Sequence, residues 1–316
     1  MSNLAIRILV ALVGIPLILL LIFAGGFYFY GFVVVVSIAG LLEFFRLARE
    51  KGYAPITWIG VAFGVALTTV FLTERLRDTF SAALDRLGTS FPAPTLSQSL
   101  LIVVLLFIPA ILLVELFRGK PNALANAGVT VLGPAYVSLF SGSLLGIREL
   151  FGVEHFPVFR VFGVSAAAPP PDVLGTLDSW GAATVVTIFA AIWVCDSAAY
   201  FAGRAFGKHK LFERVSPKKT VEGAVAGFIG AIAAFVIARA FFLSYLSPGE
   251  AVICGLIVGV LGQAGDLVES LFKRDAGVKD SSHLIPGHGG VLDRFDSLVF
   301  VSPILYLYLD FIVFAI

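Results

Sequence analysis

Residues 8–42 read ILVALVGIPLILLLIFAGGFYFYGFVVVVSIAGLL, thirty-five residues without a charged side chain. A helix needs about 20 apolar residues to cross the hydrocarbon core of a bilayer. The run is therefore too long for one straight span and slightly short of two full ones. Gly25-Gly26 marks the turn if there are two, because paired glycines interrupt helices. A single bent helix is the other reading. Arg7 precedes the run, and no small-residue cleavage site with polar sequence beyond it follows. The segment reads as membrane helix and not as a removed signal peptide.

The whole chain has the same character. Of 316 residues, 59% are hydrophobic and 14% are charged, whereas soluble domains carry about 25% charge. Too few charged groups remain to cover a water-facing surface, so lipid is the remaining solvent. Intrinsic disorder and a secreted disulfide scaffold are excluded on the same grounds. The net charge of +1 leaves no global basic field, and no nucleic-acid partner is expected. Cys195 and Cys254 sit inside apolar runs and read as small buried hydrophobes.

Nine apolar segments can be drawn, at about 8–26, 27–43, 57–72, 100–117, 127–146, 181–202, 223–244, 250–270 and 297–316. With the N-terminus inside, Arg7 and the loops after the second, fourth, sixth and eighth segments collect 16 of the 22 Lys and Arg residues. The outer loops hold five: Arg75, Arg77, Arg86, Arg148 and Arg160. This asymmetry fits the positive-inside rule. The fold expected is all-α, a polytopic integral membrane protein of about nine transmembrane helices. About five spans fall in residues 1–180, and residues 181–316 carry the chemistry. A short amphipathic helix is expected within 73–99, and an irregular connection over 147–180. No internal repeat is visible, which weakens a transporter built from inverted repeats.

Two inner loops stand apart. Residues 196–223 hold six Lys/Arg against three acids and end in Ser216-Pro217-Lys218-Lys219-Thr220-Val221-Glu222-Gly223. Anionic lipid alone would account for the charge. It would not account for lysines, a hydroxyl and small residues packed together, which is what a polyphosphate requires. The second region runs from Gly265 to Ser297. If the eighth helix continues to Arg274, then Asp266, Glu269, Ser270 and Lys273 share one face. Asp293, Asp296 and Ser297 share another if the ninth helix starts near Asp293. The hairpin would then turn carboxylates toward each other at the membrane's inner edge, where acids are strongly disfavoured and usually functional. Oxygen ligands beside cations suit magnesium bound to a nucleotide phosphate. Six acids and four bases could also simply neutralise each other, but pairing alone needs no Pro286-Gly287-His288-Gly289-Gly290 turn. Glu115 and Asp310, near span ends, read as structural.

Ser270-Leu-Phe-Lys273-Arg274, Lys279-Asp280 and Pro286-Gly-His288-Gly289-Gly290-Val-Leu-Asp293-Arg294-Phe-Asp296 closely resemble the family motif of the phosphatidate cytidylyltransferases (CDP-diacylglycerol synthases). The stretches 203–210 and 216–223 resemble the same family's second block. The likeness covers about the last 120 residues and fixes about a dozen positions. Before it, the chain matches only in being membrane helices. Asp196-Ser197-Ala198-Ala199-Tyr200 stands where the family has Asp-Thr-Gly-Ala-Tyr, and serine keeps the hydroxyl.

The resemblance implies that CTP and phosphatidate give CDP-diacylglycerol and pyrophosphate at a bilayer surface, with one magnesium ion or two. It implies Asp266 and Asp293 as metal ligands, assisted by Asp296 and Glu269, with Asp196 as a further ligand or support. Lys218, Lys219 and Thr220 would hold CTP phosphates, with Ser216, Glu222, Ser270, Gly289 and Gly290 around the substrates. Lys273, Arg274 and Arg294 would neutralise pyrophosphate or the lipid phosphate. His288 is placed with the catalytic group, as a hydrogen-bond donor or a proton carrier. A plasma-membrane location, a cytoplasmic active site and a homodimer are further expectations. A CTP-dependent polyprenol or phytol kinase is the nearest alternative, and a secondary anion transporter the second.

Overall fold

The computed structural model describes residues 3–77, 94–287 and 289–315. Nine long helices dominate the described residues: α1 (Asn3–Ala24), α2 (Gly26–Glu50), α3 (Thr57–Val70), α4 (Leu96–Arg118), α5 (Ala123–Glu149), α6 (Pro171–Phe206), α7 (Val221–Phe241), α8 (Pro248–Asp275) and α9 (Leu292–Val313). Eight are long and apolar enough to cross a membrane, and α3, with 14 residues, is apolar but shorter. The one sheet among the described residues is an antiparallel hairpin, β1 (Lys210–Phe212) with β2 (Ser216–Thr220). This is the all-α, polytopic arrangement that the apolar segments predict.

The opening run resolves into two helices. Gly25 and Gly26 take φ +61° and +47°, in the left-handed region that side chains disfavour. A Cβ on Gly25 would lie 2.8 Å from Arg148 Nη2. Arg148 is itself buried, donating from Nε to Ile22 O at 3.3 Å and pairing with Asp178. The turn therefore admits a cation that ties α1, α5 and α6 together.

Burial ranks the helices. In α5, 72% of the apolar window is buried inside the protein, against 11% in α4 and 6% in α1. Helices α4 and α1 thus present their side chains to lipid, and α5 runs through the centre. The principal core joins Phe29 and Val33 of α2 to Val185 and Ile188 of α6 and Val301 and Leu305 of α9. It crosses the 180/181 division, which falls inside α6.

Helix α6 begins at Pro171, after the proline run, where a proline costs no helical hydrogen bond. Residues 171–180, expected to be irregular, are helical, and Val158–Phe162 forms a further short helix. Of the amphipathic helix expected within 73–99, residues 78–93 lie outside the described residues. At the middle of α5, a π-turn at Pro134–Leu139 carries Tyr136. Its ring packs against Phe272 at 5.6 Å and Phe300 at 5.9 Å, forming an apolar floor beneath the ends of α8 and α9.

Candidate active site

The C-terminal ends of α2, α6 and α8 meet the N-terminal ends of α7 and α9. From α6, Asp196, Ala199, Tyr200, Gly203 and Arg204 recur at helical spacing along one wall of a cavity of about 460 Å3. Lys218, Lys219 and Thr220 of β2 form the opposite wall, with Gln263 and Asp266 of α8 at its edge. Thr220 caps α7, its Oγ1 accepting from Gly223 N at 3.2 Å. Val221 N donates to His209 O at 2.9 Å, so the capped start of α7 is fastened to the hairpin, beside two lysines.

The hairpin is held by a clamp. Glu222 accepts from the backbone N–H of Lys208 at 3.1 Å and of His209 at 3.3 Å, and its other oxygen meets His209 Nδ1 at 2.7 Å. Lys210 Nζ donates to Pro217 O at 2.6 Å across the strands. Glu222, expected at the substrate, thus already has partners within the hairpin. Ser216 pairs with Phe212 at the hairpin's turn and does not line the cavity.

The acids form two groups. In the first, Asp196 of α6, Asp266 of α8 and Asp296 of α9 lie within electrostatic reach of one another. Gly265 makes this possible, since a Cβ there would lie 2.6 Å from Asp296 O and hold α8 away from α9. Lys219 Nζ lies 2.6 Å from Asp266 Oδ2, and Ser270 Oγ donates to Oδ1 at 3.2 Å. Asp266 is thus the point where the hairpin cavity meets the carboxylates.

The second group centres on Lys273, which pairs with the fully buried Glu269 and, at 2.6 Å, with Asp293 Oδ1. Asp293 Oδ2 accepts from Ser281 N at 3.0 Å, Ser281 Oγ at 2.9 Å and Gly290 N at 2.7 Å. Both of its oxygens are engaged, so in this arrangement Asp293 fastens the 281–290 loop to Lys273. The expected Asp266–Asp293 pair is divided between the two groups, and Asp296 stands beside Asp266 instead. Arg274 Nη1 donates to Val278 O at 3.0 Å and closes the end of α8. His288 lies outside the described residues.

One organising residue escapes the sequence reading. Glu43 of α2, 5% exposed, accepts from Ser281 Oγ at 2.9 Å, Ser282 Oγ, Val291 N at 2.9 Å and Leu292 N at 2.7 Å. It caps α9 from another helix and holds both ends of the loop. A Cβ on Gly290 would strike Ser281 Oγ and Glu43 Oε2, so this position needs glycine. The available signal was an acid directly after the longest uncharged run.

Asp196, Asp266 and Asp296 supply oxygen donors only, from three helices, with one ammonium among them. That donor chemistry fits a hard divalent cation. Among the described residues, no three acids stand close enough to ring an ion as they are placed.

The chain matches the cytidylyltransferase family over residues 5–312. It is 33% identical to a phosphatidate cytidylyltransferase of Synechocystis over 306 residues, which is 95% of this chain and 94% of that one. A Brucella suis protein of the same name is 37% identical over 64% of this chain and 70% of its own. One from Bacillus subtilis is 46% identical over 41% of this chain and 48% of its own. Neither the lipid-kinase nor the transporter reading draws support from these relatives. By a match that runs almost from end to end, the chain belongs to the cytidylyltransferase family.

Proposed function

We propose that the protein transfers CMP from CTP to phosphatidate, giving CDP-diacylglycerol and pyrophosphate. The observation that carries this reading is the contact of Lys219 with Asp266, which joins the lysine-lined cavity of about 460 Å3 to a three-helix set of carboxylates. Family membership and the relatives' names support it.

A phosphate oxygen of the lipid attacks the α-phosphorus of CTP. A new P–O bond forms there, the bond to the β-phosphate oxygen breaks, and pyrophosphate leaves. The lipid monoester is already largely dianionic near neutral pH, so no protein nucleophile is needed. The chain's task is to hold two polyanions in line and neutralise them. Lys218 and Lys219 bind CTP phosphates against the N-terminus of α7. Lys273, held by Glu269 and Asp293, and Arg294 offset charge on the other side. Asp196, Asp266 and Asp296 would hold magnesium, which supplies charge neutralisation at the reacting phosphates. The glycine turn, pinned by Asp293 and Glu43, fixes the loop between α8 and α9.

The basic loops gather at this end of the bundle, and the positive-inside rule supports reading it as the cytoplasmic face of a cell membrane. CTP is then available from water and phosphatidate from the bilayer. The deciding experiment incubates purified protein with labelled CTP, magnesium and phosphatidate and resolves the products. CDP-lipid with pyrophosphate is expected. Lipid phosphorylation with CDP release, or no lipid product from folded protein, overturns the reading.

A further inference from the structure

A second cavity borders the glycine turn. Its volume is about 390 Å3, and it shares no lining residue with the hairpin cavity. Its cationic lining is Arg7, Lys279 and Arg294, against the single acid Asp280, with His283 beside them. Arg7 comes from the far end of the chain: its Nε donates to Gly287 O at 2.8 Å across 280 positions. That bond uses one nitrogen of the guanidinium, which has two more to offer. Gly287 and Gly289 take φ +75° and +84°, so the backbone folds tightly along this wall. Ile285 N donates to Gly289 O at 2.9 Å and closes the turn.

The position matters as much as the charge. Arg7 opens the span Arg7–Ala24, of which 6% is buried, so most of this span faces outward from the protein, toward lipid. A molecule that keeps its acyl chains beside α1 brings only its headgroup to this cavity. Arg294 of this lining follows Asp293 directly, so the cavity adjoins the Lys273 group.

We propose that this cavity seats the phosphate monoester of the lipid substrate, with Arg7 and Lys279 binding it, apart from the cavity that takes the nucleotide. The lipid's identity rests on the CMP-transfer reading; the seat itself rests on the cavity. A guanidinium binds a phosphate dianion through paired N–H groups, and an ammonium binds it as a point charge. Free pyrophosphate has the same chemistry, so the test must separate the two sources.

The full chain in detergent, without CTP, is assayed for retention of phosphatidate from mixtures with phosphatidylcholine, and separately for inorganic pyrophosphate binding. Arg7→Gln and Lys279→Gln are each expected to weaken phosphatidate retention about tenfold and to leave pyrophosphate binding within about twofold. In turnover, the KM for phosphatidate rises by a similar factor while that for CTP does not. Because Arg7 also holds Gly287, Lys279→Gln decides the matter if Arg7→Gln fails to fold. Unchanged phosphatidate retention in both variants overturns the proposal. So does loss of pyrophosphate binding with phosphatidate retained. Retention is read without turnover, so the two readings fail separately. A parent chain that makes no CDP-lipid sinks the reaction alone, and variants that retain phosphatidate normally sink the seat alone.

Discussion

Glu43 Oε2 accepts the Ser281 hydroxyl at 2.9 Å across 238 positions of chain. The bond joins the second helix to the loop that carries Gly290 and leads to Asp293. All four groups that Glu43 faces are donors, and its site is buried. Glu43→Gln would aim an amide N–H2 at some of them. A buried donor left unmet costs about 1–3 kcal/mol. The loop should loosen while the helices persist, and CMP transfer should fall at least about tenfold. The check is turnover per folded molecule, with helical circular dichroism as control. A Glu43→Gln protein as active as the parent removes Glu43 from the site.

Glu115 makes the opposite prediction from a similar environment. It is also buried, accepting from Asn126 Nδ2 at 2.9 Å and pairing with Arg118 at 2.7 Å. Those partners belong to α4 and α5, away from the carboxylate groups. Glu115→Gln should lower stability by about 1–3 kcal/mol and leave turnover per folded molecule unchanged. Thermal unfolding in detergent beside the activity assay reads both. Lost turnover at full stability would move Glu115 into the site.

These two acids show where the sequence is legible. The helices could be read because each span is a predominantly apolar run, and the break at Gly25-Gly26 because glycine pairs interrupt helices. The first ten residues of α6 could not. Pro171-Asp172-Val173-Leu174-Gly175 has no span-like apolarity, and Val173 and Leu177 are buried in the principal core among residues distant in sequence. Spacing along the chain did not show how the motif acids would group in space. Asp266 faces Asp296 because Gly265 lets α8 and α9 approach, and crossing geometry of this kind has no local signature. Glu43 shares no local pattern with Ser281 or Leu292, so its role appears only when α2 is placed against α9.

The first carboxylate group predicts a specific response to metal. Asp266→Asn, Asp196→Asn and Asp296→Asn each keep an oxygen donor and lose a charge. If the three hold magnesium, each should raise the concentration for half-maximal rate by about tenfold or more. Chelation should abolish CMP transfer in the parent, and added magnesium should restore it. Asp293→Asn should behave differently, lowering the rate through Lys273 and the loop with a smaller change in magnesium requirement. Equal magnesium shifts for Asp293→Asn and Asp266→Asn would place both acids on one ion and return Asp293 to the ligand set.

Glu222 separates binding from folding. Its contacts are local: two backbone N–H groups and the ring of His209, all on the approach to β1. None reaches the helix core, so Glu222→Gln should leave thermal unfolding close to the parent. The loss falls on the hairpin, because a neutral amide grips those donors less well than a carboxylate does. Lys218 and Lys219 then sample more positions, and the ordering that the clamp supplied must come from CTP binding. The expected result is a KM for CTP raised about three- to tenfold, with the phosphatidate KM little changed. His209→Ala should give a weaker version of the same effect, since both backbone bonds to Glu222 survive. Parent-like CTP kinetics in Glu222→Gln would show that the lysines are held without the clamp. A phosphatidate KM that rises with that for CTP would mean that the hairpin serves both substrates.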